Sequence, residues 1–315
     1  MIFPQLEKKL IIKINDGNDI TIDGQGHTVD LKGSSKHDHY FVVKSGNVVF
    51  KNIIFVNGYN KDGDKGGAIS FEGSAKGTII NCTFKNCWAE DHGGAVSDRT
   101  GNKLTVINST FIGNSADDVD GGAIFLKGPI YAEGCLFEDN KADDFSGAVD
   151  INSDKLSIFK KCVFRSNRAG DDKGGAIYSK GNLEIEDCLF DSNKAKVDGG
   201  AIFCKKNVTV KRSVFINNKA SGAIIAECWG GAICADGDVY IDNSTFENNS
   251  AGDYGGAIHA ANVYINKGQG KQSINTFFRN NKAGDNDGGA IFVRYNVPLK
   301  MQNSVKTELM IWVEQ

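Results

Sequence analysis

Acidic residues recur in pairs along this 315-residue chain, at Asp117-Asp118, Asp143-Asp144 and Asp171-Asp172, with later counterparts at Asp198, Asp253, Asp285 and Asp287. Stacked on one edge, Asp118, Asp144 and Asp172 could hold Ca²⁺, a hard cation that takes roughly six to eight oxygens. No Gly-Gly-x-Gly-x-Asp nonapeptide accompanies them, and no EF-hand loop completes itself after Asp62-x-Asp64. No other cofactor is indicated. A basic residue stands just before most of these acids, at Lys141, Arg168, Lys194, Lys219 and Lys282. Such a row either neutralises the acidic loops or offers a lateral binding face. Catalysis by an acid and a base needs the pair placed once. These aspartates return in copy after copy, so they read as loop composition rather than as an active site. The five histidines are scattered.

The residues that position these groups are themselves periodic. Gly-Gly-Ala-Ile/Val begins at Gly66, Gly93, Gly121, Gly174, Gly199, Gly230, Gly255 and Gly288, with Ser-Gly-Ala-Val at Ser146, at spacings of 25 to 33 residues. Interleaved is Phe-x-x-Asn, at Phe111/Asn114, Phe137/Asn140, Phe164/Asn167, Phe190/Asn193, Phe215/Asn218, Phe246/Asn249 and Phe278/Asn281. Degenerate copies, Phe55/Gly58 and Phe84/Cys87, open the series. A fixed period over most of a chain marks a repeat architecture.

Residues 174–199 show how one repeat folds. Leu183 and Ile185 share one face of a period-two segment, and Ala176 and Tyr178 share a face of another. Lys180-Gly181-Asn182 is a turn, and a corner falls near Asp187, where other copies carry Asn81, Asn108, Gly134, Asn243 or Asn275. Those residues tolerate the left-handed conformation and bond their own backbone. Nothing shows the helical period. The chain therefore reads as all-β, a single-stranded right-handed parallel β-helix (a solenoid) of about eleven coils, counted from nine glycine motifs and two N-terminal coils. In it the repeat Phe should form a core stack, the Asn an amide ladder at a corner, and Ala with Ile/Val the opposite wall. Residues 1–50 read as an irregular N-terminal region and cap, 51–296 as the β-helix, and 297–315 as a C-terminal cap or divergent tail.

Cys82, Cys135, Cys162 and Cys188 sit two residues before the repeat Phe, where other copies hold Ser or Thr. They read as free thiols in a core ladder, because Cys behaves as a small hydrophobe there. Cys87, Cys204, Cys228 and Cys234 follow no metal-ligand spacing. The last two, six apart around Trp229 and Gly230, are the best-placed disulfide pair. A net charge of −3 gives no reason to expect nucleic acid, which favours a basic face. No stretch has the roughly 18 apolar residues of a membrane helix, and no signal peptide is legible in Met1–Leu10. The oligomeric state is not readable. The period breaks at 34–39, 221–231 and 262–275. Insertions often project on a solenoid's binding face, which singles out Glu227 and Trp229.

The alternation of Gly-Gly-Ala-Ile with Phe-x-x-Asn resembles the passenger repeats of the polymorphic outer membrane proteins of chlamydiae. It is also similar to the β-helix repeats of adhesin-like surface proteins of methanogenic archaea. Ile-Asp-Gly-x-Gly-His-Thr within Ile20–Asp30 is similar to the opening of pectate-lyase-like β-helices. The resemblance covers residues 18–293. It implies a non-enzymatic, adhesin-like module at the cell surface or outside the cell, binding a host-cell, glycan or protein ligand along its lateral face. Lys141, Arg168, Lys194, Lys219, Glu227 and Trp229 are the residues proposed for contact. The alternatives are a polysaccharide lyase or hydrolase on the same scaffold, or a structural spacer. The chain departs from the bacterial pattern in showing no secretion signal and no C-terminal membrane barrel.

Overall fold

A computed structural model of the chain describes residues 10–15, 17–33, 38–61, 63, 65–118, 120–222, 228–266, 276–284, 288–294 and 311–313. Glu227, Asn275, most of the 297–315 tail and parts of the insertions at 34–39 and 262–275 lie outside the described residues. Within them the chain is a right-handed parallel β-helix with no helical segment. One sheet of ten strands runs from Ile20–Asp23 to Val263–Asn266, and a second from Thr28–Asp30 to Phe277–Arg279. A third sheet collects the glycine-motif strands, such as Ile177–Ser179, and two-residue strands such as Lys194–Ala195. Pairing is parallel throughout, apart from one antiparallel contact between His39 and Tyr59.

Ten passes through a sheet make about nine turns, fewer than the eleven expected. The difference has a simple origin. Ile54–Val56 belongs to the second N-terminal coil, and the glycine motif at Gly66 leads into Ile69–Phe71 of that same coil. Counting both had counted one coil twice. The ladder also reaches upstream of residue 50: Ile20–Asp23 pairs with Asn47–Lys51, and Leu10–Ile14 with His39–Val43. Backbone pairing needs no motif, so the regular coils begin before the motifs do.

The core follows from the period. Phe84, Phe111, Phe137, Phe164, Phe190, Phe215, Phe246 and Phe278 align in register along the second sheet. Successive rings are stacked 4.6–4.9 Å apart. Phe111 to Phe246 are fully buried and in mutual contact, as the repeat predicts. From Phe55 to Phe246 each Phe strand is bracketed by two left-handed residues five positions apart, for example Asp187 (φ 55°) and Ser192 (φ 59°). The first corner is the expected one. The second, at Asn86, Asp139, Ser166, Ser192 and their counterparts, is not legible from composition, and it turns the chain into the Asn.

The Asn residues make a closed amide ladder. Asn140 Nδ2 donates to Asn167 Oδ1 at 3.0 Å and to the Phe111 carbonyl at 3.0 Å. Asn140 Oδ1 accepts from both the backbone N–H and the Nδ2 of Asn114. The pattern repeats through Asn193, Asn218 and Asn249 to Asn281. From Asn114 to Asn249 both amide hydrogens are satisfied, which buried amides require. From Gly67 to Gly256 the second glycine of the motif lies where a Cβ would overlap a carbonyl of the next coil, as at Gly175 against Gly200.

One face assignment is corrected. Ala176 and Ile177 both donate their N–H to the Ala201 carbonyl, at 2.8 and 3.0 Å. This local bulge turns both side chains into the core, so Tyr178 points outward and does not share a face with Ala176. Tyr178 instead joins Phe203, Cys228, Cys234 and Phe145 in a second apolar cluster outside the main core.

Candidate binding face

The basic residues occupy the first position of the two-residue strands, where the side chain is exposed and the following Ala is buried. The Asn ladder immediately before them fixes the backbone, so their register follows. Lys141 pairs with Arg168, Arg168 with Lys194, and Lys194 with Lys219. Toward the N-terminus the same column continues through Ser115 to Trp88 and Tyr59, whose rings stack at 4.3 Å. On the other side it runs through Ser250 to Lys282.

The expectation that this row neutralises the acidic loops holds only in part. Lys141 Nζ lies 2.7 Å from Asp143, and Lys196 Nζ lies 2.6 Å from Asp171. Among the described residues no carboxylate pairs with Arg168, Lys194 or Lys219. These three, with Ala169, Gly170, Asp171, Ala195, Lys196 and Ser221, line an open groove of about 460 Å³. Small residues lie between its cations, and its one acid, Asp171, is paired with Lys196. Trp229 is half-buried and its ring packs on Gly222, next to Ser221 of the groove lining. The structure thus brings the ladder and Trp229 to one side of the molecule.

Asp144 and Asp172, two of the Ca²⁺ candidates, form part of a column of mutually repelling acids. Burial first, then Asp171, Asp143 and Asp118, raises the Asp144 carboxyl above its ordinary range. Burial also raises Asp172, against the pull of Lys173. No group of three or more metal-ligating side chains converges among the described residues.

Sequence reasoning missed a set of buried acids in and around the glycine-motif strands: Asp150 stands on their outward side in register with Phe125 and Tyr178, whereas Asp98 takes the core-facing position in register with Phe71 and Leu126. Asp98 is fully buried and pushed up to about 6 by burial, against hydrogen bonds from Thr100. Asp120 is pushed up to about 6 by burial, and Asp150, sealed from water, lies well above the ordinary carboxylate range through burial and then the Asp120 charge. Asp198, whose carboxyl is 3.1 Å from Lys173, is raised to about 6, again by burial. For Asp150 the available signal was positional. The residue after Ile/Val varies among Ser, Phe, Asp, Tyr, Cys and His, and this variable column breaks the repeat. It lies under the acidic loops.

Six cysteines, Cys82, Cys87, Cys135, Cys162, Cys188 and Cys204, are free and buried. Burial pushes Cys82 up to about 11 and Cys87 and Cys204 up to about 12, which keeps these thiols protonated and unreactive. Cys228 and Cys234 form the disulfide.

Compared with known proteins, the chain matches the right-handed β-helix region family over residues 12–170 and 120–266. It belongs to that family. Residues 275–294 match the Chlamydia polymorphic membrane protein repeat. Among curated proteins, the probable autotransporter YfaL of Escherichia coli (strain K12) is 33% identical over 152 residues. That stretch is 45% of this chain and only 11% of the relative's length. No solved structure matches. No helix among the described residues is long and apolar enough to cross a membrane.

Proposed function

We propose that this chain is a non-enzymatic, adhesin-like module that acts at the cell surface and binds a glycan or surface-protein ligand along its lateral face. The likeness to polymorphic membrane protein repeats and to an autotransporter supports the surface location. The observation that carries the binding reading is the row of exposed, in-register cations at Arg168, Lys194 and Lys219. They have no carboxylate partner among the described residues, although the whole chain carries a net charge of −3. An unneutralised row of like charge costs stability, so its presence favours an external partner over a spacer role. Glu227, Trp229 and a weak Ca²⁺ site at Asp118, Asp144 and Asp172 remain part of this proposal.

The alternative, a polysaccharide-cleaving enzyme, would draw on the buried acids. Asp98 and Asp150 are closed to solvent, Asp98 in the core-facing column of Phe71 and Leu126, so a polymer cannot reach them without opening of the coil. Purified chain applied to arrays of glycans and surface proteins should bind saturably and release no shortened glycan. Appearance of depolymerised product would favour the enzyme. Absence of binding to any arrayed ligand or intact cell would favour the spacer.

A further inference from the structure

We propose that the column Lys141–Arg168–Lys194–Lys219 and its groove seat a single linear acidic polysaccharide, sulfated or uronate-bearing, lying parallel to the helix axis. This rests on the adhesin-like reading and narrows it to one ligand class.

Four observations converge on that ligand. First, the cations stand one above another at the rung period of about 4.8 Å, locked by backbone pairing. A one-dimensional row of charge at a spacing close to one sugar unit complements a polymer with charged sugars. A folded protein partner would have no need of such a row. Second, Arg168, Lys194 and Lys219 form no ion pair among the described residues, and the one carboxylate lining the groove, Asp171, is paired with Lys196, so a bound anion would relieve their mutual repulsion. Third, the small residues Ala169, Gly170 and Ala195 lie between the groove's cations. These leave the cationic side chains free to close on a chain laid between them. Fourth, the row is one residue wide, and the following loops carry Asp143, Asp144, Asp171 and Asp172. A thin polyanion fits beside that acidic border. A nucleic-acid duplex, with one charge per roughly 1.7 Å of axis, would press much of its charge against it. The stacked Tyr59 and Trp88 extend the column with half-buried aromatic surface suited to sugar rings.

The test uses the full chain with size-defined heparin and polygalacturonate fragments, neutral dextran and a single-stranded DNA oligonucleotide. The parent should bind both acidic polysaccharides, ignore dextran, and weaken as salt rises, since exposed charges are screened. The triple variant Arg168→Ala/Lys194→Ala/Lys219→Ala should lose at least about tenfold in affinity, because charge-assisted contacts dominate. A control, Lys85→Ala/Lys103→Ala/Lys211→Ala, should stay within about twofold, as expected for lone surface charges. Circular dichroism and melting would verify folding. Should the triple variant not fold, the single Lys194→Ser variant should still show a severalfold loss. Failure of the parent to bind either acidic polysaccharide at low salt would overturn the proposal. So would equal affinity of the ladder variants and the parent, or equally tight, ladder-dependent binding of DNA. If the ladder variants kept saturable binding to cells or to another arrayed ligand, the ladder would fall and the adhesin-like reading would stand. Loss of all ligand binding by the parent itself would sink both.

Discussion

Asp98 holds its carboxylate out of water, with Thr100 donating to one oxygen from its backbone N–H at 2.9 Å and its hydroxyl at 2.7 Å. The other oxygen is buried with no hydrogen-bond partner. Burial is the dominant influence, and the folded pKa rises to about 6 from the ordinary 3.8. Between those values the folded chain binds a proton that the unfolded chain has released. The contribution is therefore fully present below about pH 4 and is lost as pH rises through about 6. Asp98→Asn keeps the acceptor for Thr100 and removes the buried charge. It should be near neutral at pH 4 and more stable than the parent by about 3 kcal/mol at pH 8. Urea melts at the two pH values would show this; a difference that does not change with pH would count against it. Ser146 is another residue working against its own preferences. It takes φ 62° where most copies place a positive-φ glycine, a conformation that disfavours a side chain.

The two ladders differ in what they ask of a coil. The Phe column needs only apolar bulk, whereas the Asn column needs every amide atom matched. Asn167→Ala would leave the Asn140 N–H and one Asn140 Nδ2 hydrogen without partners in a dry corner and take one donor from the Phe137 carbonyl. At about 1–3 kcal/mol for each stranded group, the expected loss is about 3 kcal/mol or more. Chemical denaturation would measure it, with the fastest amide exchange at Asn140 and its neighbours. Cys87 shows a tolerated vacancy at the end of the column, where its backbone N–H still reaches Asn114 Oδ1 at 3.0 Å. Both ladders were legible in the sequence, because a residue that stacks on its own copy must recur with the period. What was not legible had no fixed residue type. The second left-handed corner is filled by Asn, Asp, Ser or Gly. The inward bulge at Ala176–Ile177 looks like plain alternation in sequence, so Tyr178 is placed on the wrong side. Asp98, Asp120 and Asp150 carry no motif, and only their burial in the folded coil makes them unusual. The basic row was visible as composition, but which of its members lack a carboxylate partner is a matter of three-dimensional reach.

Across the molecule, each coil packs on the coil before and the coil after it, and only surface contacts such as Lys206–Asp154 at 3.2 Å and Arg294–Asp236 at 3.3 Å reach past a coil. A loss in the middle should therefore stay local. Phe164 stacks on Phe137 and Phe190 at 4.7 Å each and meets Phe159 edge-on. Phe164→Ala should cost about 3–5 kcal/mol and loosen the coils of Phe137 and Phe190, while amides near Phe50 and Phe246 stay protected. Hydrogen exchange resolved along the chain would read the pattern, and an even loss from end to end would contradict it. The disulfide obeys the same locality. Cys228 and Cys234 tie down only the broken coil between Gly222 and Ala235 and leave the six ladder and wall thiols untouched. The rung-to-rung backbone hydrogen bonds have one more consequence, and it is mechanical. Pulled at its two ends, the chain meets its coils in series, each held by similar bonds to the next. It would yield by peeling one coil at a time, each giving up a repeat of 25 to 33 residues. At about 3.5 Å per extended residue, every such release lengthens the tether by roughly 90 to 110 Å, so the molecule absorbs a sudden load in steps and keeps its remaining coils wound.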